Sequence, residues 1–285
     1  MKSEKAVRII KSVEISNTVE KLCADANYFL PDDILKSLKE NAEKETGTAK
    51  DIFNEIIKNA EIAKTEKIPL CQDTGSANFF IKLGRDIAID GGDIYSSVNK
   101  GVAEGYKKNY LRKSVVSDPV ERKNTCDNTP ANIYIDIVDG ENMEITFLPK
   151  GGGSENASAL KMLAPSAGWD GIKDFVLSAV KEKGANACPP LIAGIGIGGD
   201  FASAGYLAKT ALLREIGSQN PSSYYGEKEK ELLTEINKLD IGAMGLGGKI
   251  TALAVFINVK PCHIASLPVA INIQCHSCRR KTAVI

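Results

Sequence analysis

The chain has 285 residues, 43% hydrophobic and 25% charged, an ordinary globular balance with enough material to bury a large core. Lys and Arg total 36, as do Asp and Glu, so there is no net field for gripping nucleic acid, and no stretch approaches the roughly 20 apolar residues of a membrane helix. The start, MKSEKAVRIIKSVE, lacks the apolar core of a secretion signal, so a cytoplasmic location is the expectation.

In chain order, the first third reads as helical. SVEISNTVEKLCADANYFL carries apolar residues at helical spacing, and Pro31-Asp32-Asp33 punctuates and caps a second helix through ILKSLKENAEKE. A third helix follows from Thr48, with Ile52, Ile56, Ile57 and Ile62 along one stripe. After Lys67, IPLCQDTGSANFFIKLG sets a Gly/Asp loop between strand-like flanks, and Gly91-Gly92-Asp93 opens a helix that ends in the basic residues of LRKS. ANIYIDIV and MEITFLP both alternate around Asp139-Gly140, which predicts a β-hairpin. That hairpin runs into Lys150-Gly151-Gly152-Gly153-Ser154, with a helix expected from about Asn156. The second half repeats a strand, glycine loop, helix order in CPPLIAGIGIGGD and FASAGYLAKTALLREIG, then gives a polar helix in EKEKELLTEINKL. IGAMGLGG precedes two apolar runs, ITALAVFINV and ASLPVAINIQ. The class is α+β: one domain over 1–285, with a helical N-terminal lobe (about 1–66) packed with a mixed or antiparallel sheet and surrounding helices (about 67–285).

Seven cysteines, Cys23, Cys71, Cys126, Cys188, Cys262, Cys275 and Cys278, are an odd number in a chain without a secretion signal, which argues against a disulfide framework. Each alone reads as a small buried apolar residue. Three stand beside loop chemistry: Cys71 in C-Q-D-T-G, Cys188 in A-C-P-P and Cys275 in I-Q-C-H-S-C. A [4Fe–4S] cluster held by only three thiolates would leave one iron open to bind substrate as a Lewis acid.

CQDTG, LRKSVVSDP, NTCDNTPA, PKGGGSEN, ACPP, GIGIGG and CHIASLPVAINIQC occur in order from about Ile68 to Cys278. Together they resemble the alpha part of the class I, iron–sulfur fumarases, and equally the alpha subunit of the related L-tartrate dehydratases. The resemblance implies a hydro-lyase with an oxygen-sensitive [4Fe–4S] cluster on Cys71, Cys188 and Cys275, hydrating fumarate to malate or dehydrating tartrate. Fumarate is the expected substrate, because that activity is the more widespread. The resemblance also implies that Gln72 and Asp73 meet the substrate, with Asp73 catalytic, and that Arg112 forks onto a carboxylate. By itself Arg112 reads as a cation at a helix C-terminus. Gly152 and Gly153 would offer backbone N–H groups to a carboxylate, whereas alone they read as a turn. His263 becomes a substrate-orienting or proton-relaying residue, although a lone histidine there reads more simply as a turn residue.

Two departures stand out. The loop usually reads NTGDNTPA and here has Cys126 for glycine, and Cys278 lies within reach of competing with Cys275 as ligand. Gly194-Ile195-Gly196-Ile197-Gly198-Gly199 also satisfies a dinucleotide-binding turn, which makes an NAD-dependent oxidoreductase the rival reading. The acid expected about 20 residues later at the end of a second strand is missing, since Glu215 falls at a helix end. A structural zinc site on Cys275, His276 and Cys278 would need a second ligand pair that the sequence does not offer. In single-chain members a second domain follows the cluster domain, whereas this sequence ends at Ile285. The expectation is therefore an alpha subunit that works with a separate beta chain, as α₂β₂, on a small dicarboxylate.

Overall fold

The structure is a computed structural model and describes residues 7–285; residues 1–6, part of the expected helical lobe, lie outside the described residues. The elements run β1 (Arg8–Lys11), α1 (Ser12–Tyr28), α2 (Asp32–Ala42), α3 (Gly47–Glu66), β2 (Ser76–Gly84), β3 (Ile87–Asp90), α4 (Ile94–Lys108), β4 (Asn132–Val138) and β5 (Met143–Lys150). They continue with α5 (Gly152–Asn156), β6 (Ala159–Leu163), α6 (Gly168–Lys183), β7 (Leu191–Gly198), α7 (Phe201–Ala211), α8 (Ser223–Asn237), β8 (Ala252–Lys260), β9 (Leu267–Gln274) and β10 (Lys281–Val284). Helices with mixed sheets make this an α+β fold, as expected.

The chain forms two compact units, each with its own core. Among the described residues, unit 1 comprises 7–31, 62–151 and 279–285, and unit 2 comprises 32–61 and 152–278. This differs from a front lobe over 1–66, because α1 packs its buried face (Ile15, Val19, Leu22) with α4 and the strands of unit 1, whereas α2 belongs to unit 2.

The larger sheet of unit 1 has the order β10-β5-β2-β4, with β5 antiparallel to both β10 and β2 and β4 parallel to β2. Phe79 of β2 and Phe147 of β5 are register partners whose rings stack at 4.8 Å. The predicted hairpin is not formed: β2 lies between β4 and β5. The loop from Asp139 to Asn142 spans the end of β2 instead, its carbonyls at Gly140 and Asn142 accepting the N–H groups of Asp86 and Gly84. Alternation showed two half-buried strands, but it carries no information on which strand lies beside which.

The sheet of unit 2 has the order β6-β9-β7-β8, with β9 antiparallel to β6 and β7 and β8 parallel to β7. The helix expected from about Asn156 is replaced by β6, which pairs with β9. Gly194 and Gly196 lie inside β7, where α7 crosses so closely that an added Cβ would meet the carbonyls of Ala208 and Ala204 at 2.1 Å. These glycines therefore serve strand–helix packing. The start of α7 is closed by a capping box in which the Asp200 carboxylate accepts the N–H of Ser203. A carboxylate at that position repels a pyrophosphate, so the dinucleotide reading loses its anion site.

Candidate active site

Strand polarity decides which motifs meet within each unit. In unit 2, Cys188 precedes β7 and Cys275 follows β9, which runs antiparallel to β7 with Ile192 opposite Gln274. Both cysteines are thus delivered to the same end of the sheet, and the N–H of His276 donates to the carbonyl of Cys188 at 3.3 Å. Two further motifs arrive there. The N–H of Met244, in IGAMGLGG, donates to the carbonyl of Pro189 at 2.8 Å. Gly153, in the KGGGSEN loop, approaches the turn before Cys188 so closely that an added Cβ would lie 3.0 Å from the carbonyl of Asn186. Cys188 is exposed and has φ 52, the left-handed region that a non-glycine residue adopts at a cost. Gly152 begins α5, and Glu155 of the same short helix joins Lys209 Nζ at 2.6 Å and Asn272 Nδ2 at 3.1 Å.

In unit 1, CQDTG leads into β2, Lys150-Gly151 leaves the antiparallel β5 opposite Ser76, and NTCDNTPA leads into the parallel β4. All three therefore gather at one end of that sheet. The Thr74 hydroxyl donates to the carbonyl of Arg112, and the buried Asn128 accepts the N–H of Ser114 and donates to the carbonyl of Gly75. Cys71 is half-buried, Gln72 is exposed, and Asp73 accepts the N–H of Gly75. An added Cβ on Gly151 would lie 3.2 Å from Asp73 Oδ2, so the carboxylate faces the start of the glycine loop. Arg112 is exposed and lies beyond the end of α4 at Lys108, where Lys107 and Lys108 supply the cations of the last turn. The dipole-complementing reading of Arg112 therefore falls away. Cys126 adopts φ 69, which explains why glycine suits that position.

His263 is not brought to the Cys188 and Cys275 end. It lies in the exposed loop between β8 and β9, at the opposite end of the unit 2 sheet, about 25 Å away along the length of β7. Its Nδ1 accepts the N–H of Ala265 at 3.1 Å, closing a local turn.

Sequence reasoning passed over three buried residues with polar groups, Arg279, Tyr106 and Gln274. Arg279 is 1% exposed, and its guanidinium donates to Asn27 Oδ1 at 2.8 Å and to the carbonyl of Asp73 at 2.9 Å, clamping the CQDTG loop from beneath. The Tyr106 hydroxyl donates to the carbonyls of Thr74 and Gly75 in the same loop, and burial pushes its pKa well up. Nothing in the sequence separates Arg279 from a solvated Arg-Arg pair. Gln274 is fully buried beside Cys275, and its signal was available: Asn272 and Gln274 put two amides on one face of an otherwise apolar strand.

The donor set suits an iron–sulfur group. All seven cysteines are outside disulfides; Cys71 and Cys275 are half-buried and Cys188 is exposed, whereas Cys278 is fully buried. Gln274 Nε2 points at Cys275 Sγ from 3.9 Å, a contact that a thiolate accepts well. Among the described residues, no group of three or more His, Cys, Asp or Glu is arranged to hold a metal ion.

A family described as fumarate hydratase (Fumerase) matches residues 16–284. The chain belongs to this family. It is 45% identical over 275 residues to a Methanocaldococcus jannaschii protein described as "Putative L(+)-tartrate dehydratase subunit alpha", covering 94% of this chain and 96% of that one. It is 32% identical over 276 residues to the L(+)-tartrate dehydratase subunit alpha of Escherichia coli O157:H7, covering 95% and 91%. Family membership makes the chain a lyase of the water-eliminating kind and sets aside the oxidoreductase reading. No helix among the described residues is long and apolar enough to cross a membrane.

Proposed function

We propose that the chain is the cluster-bearing alpha component of a hydro-lyase acting on a small 2-hydroxy dicarboxylate. Cys71, Cys188 and Cys275 hold a [4Fe–4S] cluster, which supplies an open Lewis-acid iron for the substrate's carboxylate and hydroxyl. The observation that supports this reading is the meeting of the Cys188 and Cys275 loops at one sheet end, beside Gly153.

The protein's own residues bind and orient the substrate. Arg112, exposed and tied through its carbonyl to Thr74, forks onto one carboxylate. Gly152 and Gly153 offer backbone N–H groups to an anionic oxygen. Gln72 and Asp73 hydrogen-bond the substrate, with Asp73 handling the proton that accompanies the departing hydroxyl. His263 serves this chemistry only from a second copy of the chain, because within one chain it stands at the far end of the sheet. A separate beta chain completes the assembly as α₂β₂ in the cytoplasm, consistent with relatives described as alpha subunits.

Fumarate/malate and L-tartrate both fit the carboxylate grip, and the relatives' names make L-tartrate the first acid to assay. The experiment is anaerobic purification with iron and sulfide analysis, followed by turnover assays on malate and L-tartrate with and without a candidate beta chain. The expected result is about four irons per chain and negligible turnover until the partner is added. Protein without iron and sulfide after anaerobic reconstitution would refute the cluster, and full turnover by the isolated chain would refute the need for a partner.

A further inference from the structure

Gln274 is fully buried at the end of β9, immediately before Cys275. Its backbone is fixed in the ladder opposite Ile192, so the side chain projects from a strand and not from a mobile loop. The two ends of its amide are unequally served. Nε2 lies 3.9 Å from Cys275 Sγ, and Oε1 is buried with no hydrogen-bond partner among the described residues. A buried amide carbonyl without a donor is destabilising, and an N–H given to a neutral thiol offsets little of that, because thiol sulfur is a weak acceptor. A thiolate is a charged acceptor and roughly doubles the bond's worth. Gln274 therefore fits its site when the Cys275 sulfur carries negative charge, as it does when ligating a metal group. Cys278, three residues later, is fully buried. Two residues earlier on the same face of β9, Asn272 donates to Glu155 and to the Ser158 hydroxyl, so the strand face that aims Gln274 is itself held in place.

We propose that Gln274 is a positioning residue for the third cluster ligand. Its amide N–H orients the Cys275 sulfur for ligation, selects Cys275 over Cys278, and withdraws electron density from the ligating sulfur so that the bound cluster accepts an electron more readily. This rests on the cluster reading above.

The test uses the full chain, anaerobically reconstituted with iron and sulfide, as wild type and as Gln274→Met. Methionine has similar length and removes both the donor and the orphaned oxygen, so the variant is expected to unfold at an unchanged or higher temperature. Dithionite supplies the electron, and the ratio of reduced to oxidised cluster is read by EPR at a fixed potential near the wild-type midpoint. The expected result is a ratio about fivefold lower in Gln274→Met, with an altered EPR signal. Iron content in that background should also begin to fall when Cys278→Ser is added, whereas Cys278→Ser alone leaves wild-type iron content intact. Equal ratios and identical spectra would overturn the role of Gln274 while leaving the cluster in place. Wild-type protein without iron and sulfide would instead overturn the cluster reading, and this inference with it. Should Gln274→Met fail to unfold cooperatively, Gln274→Glu, which keeps the shape and replaces the N–H by oxygen, carries the same comparison with the same expected direction.

Discussion

The N–H of His276 donates to the carbonyl of Cys188, joining two loops that are remote in sequence at one end of the unit 2 sheet. Through that contact the residue after one proposed thiolate ligand is pinned to the backbone of another, so a change at either loop is felt at both.

The cysteines should divide sharply on replacement. Cys188→Ser, Cys275→Ser and Cys71→Ser are each expected to abolish cluster absorbance, while the exposed Cys262 tolerates Ser without effect. Cys23 is fully buried and burial pushes its thiol pKa up, so Cys23→Ser keeps the cluster but costs about 1–3 kcal/mol in unfolding free energy. Iron analysis alongside chemical denaturation separates the two effects. Loss of the cluster in Cys278→Ser with retention in Cys275→Ser would reverse the ligand assignment.

Arg112 stands clear of the last turn of α4, so its guanidinium is available for a ligand. Arg112→Lys keeps the charge and loses the two-pronged geometry, which should weaken dicarboxylate binding by about 1–3 kcal/mol. The check is KM in the assembled enzyme together with unfolding temperature. An unchanged KM would show that Arg112 does not touch substrate.

Arg279 holds Asn27 and the carbonyl of Asp73 from a fully buried position. Arg279→Met removes the guanidinium donor from both acceptors and is expected to cost about 2–4 kcal/mol, with Arg279→Lys recovering part of it by serving one acceptor. Denaturant midpoints of the three proteins measure this. Midpoints matching wild type would show that the loop is held by other contacts.

Glu231 accepts from Lys228 at 2.8 Å, from Trp169 Nε1 at 3.1 Å and from Lys173 at 3.0 Å, with Lys228 foremost in holding its pKa down to about 2. A carboxylate whose folded value is depressed contributes stability above its unfolded pKa, near about 4.3, and loses it as pH falls toward the folded value. Wild type should therefore exceed Glu231→Gln in unfolding temperature at pH 6, with the gap closing between about pH 4 and pH 2. Trp169 is the sole tryptophan, so its fluorescence follows unit 2 through the titration. A gap that stays constant with pH would mean the carboxylate's charge contributes nothing.

Much of this protein was determined locally. Helix periodicity located α1 to α4, the capping residues Asp93 and Asp200 start α4 and α7, and the apolar runs became β7, β8 and β9. The cysteine and glycine motifs pointed to the family without any coordinates, because each is a short string whose chemistry resides in adjacent residues. What failed was pairing. The sequence from Ala131 to Pro149 reads as a hairpin, yet β2 takes the place between β4 and β5.

The candidate site divides the same way. Cys188 and Cys275 were named from their motifs, but only an antiparallel β9 against β7 brings them to one sheet end, and the same polarity sends His263 to the other. Arg279 looks like surface in sequence and is buried, and Gln274 acquires meaning only when its amide is seen beside a sulfur. Local propensity depends on neighbours within a few residues and is written along the chain. Which ends of which strands coincide depends on how separate apolar faces share a core, and that is settled only when the whole chain folds.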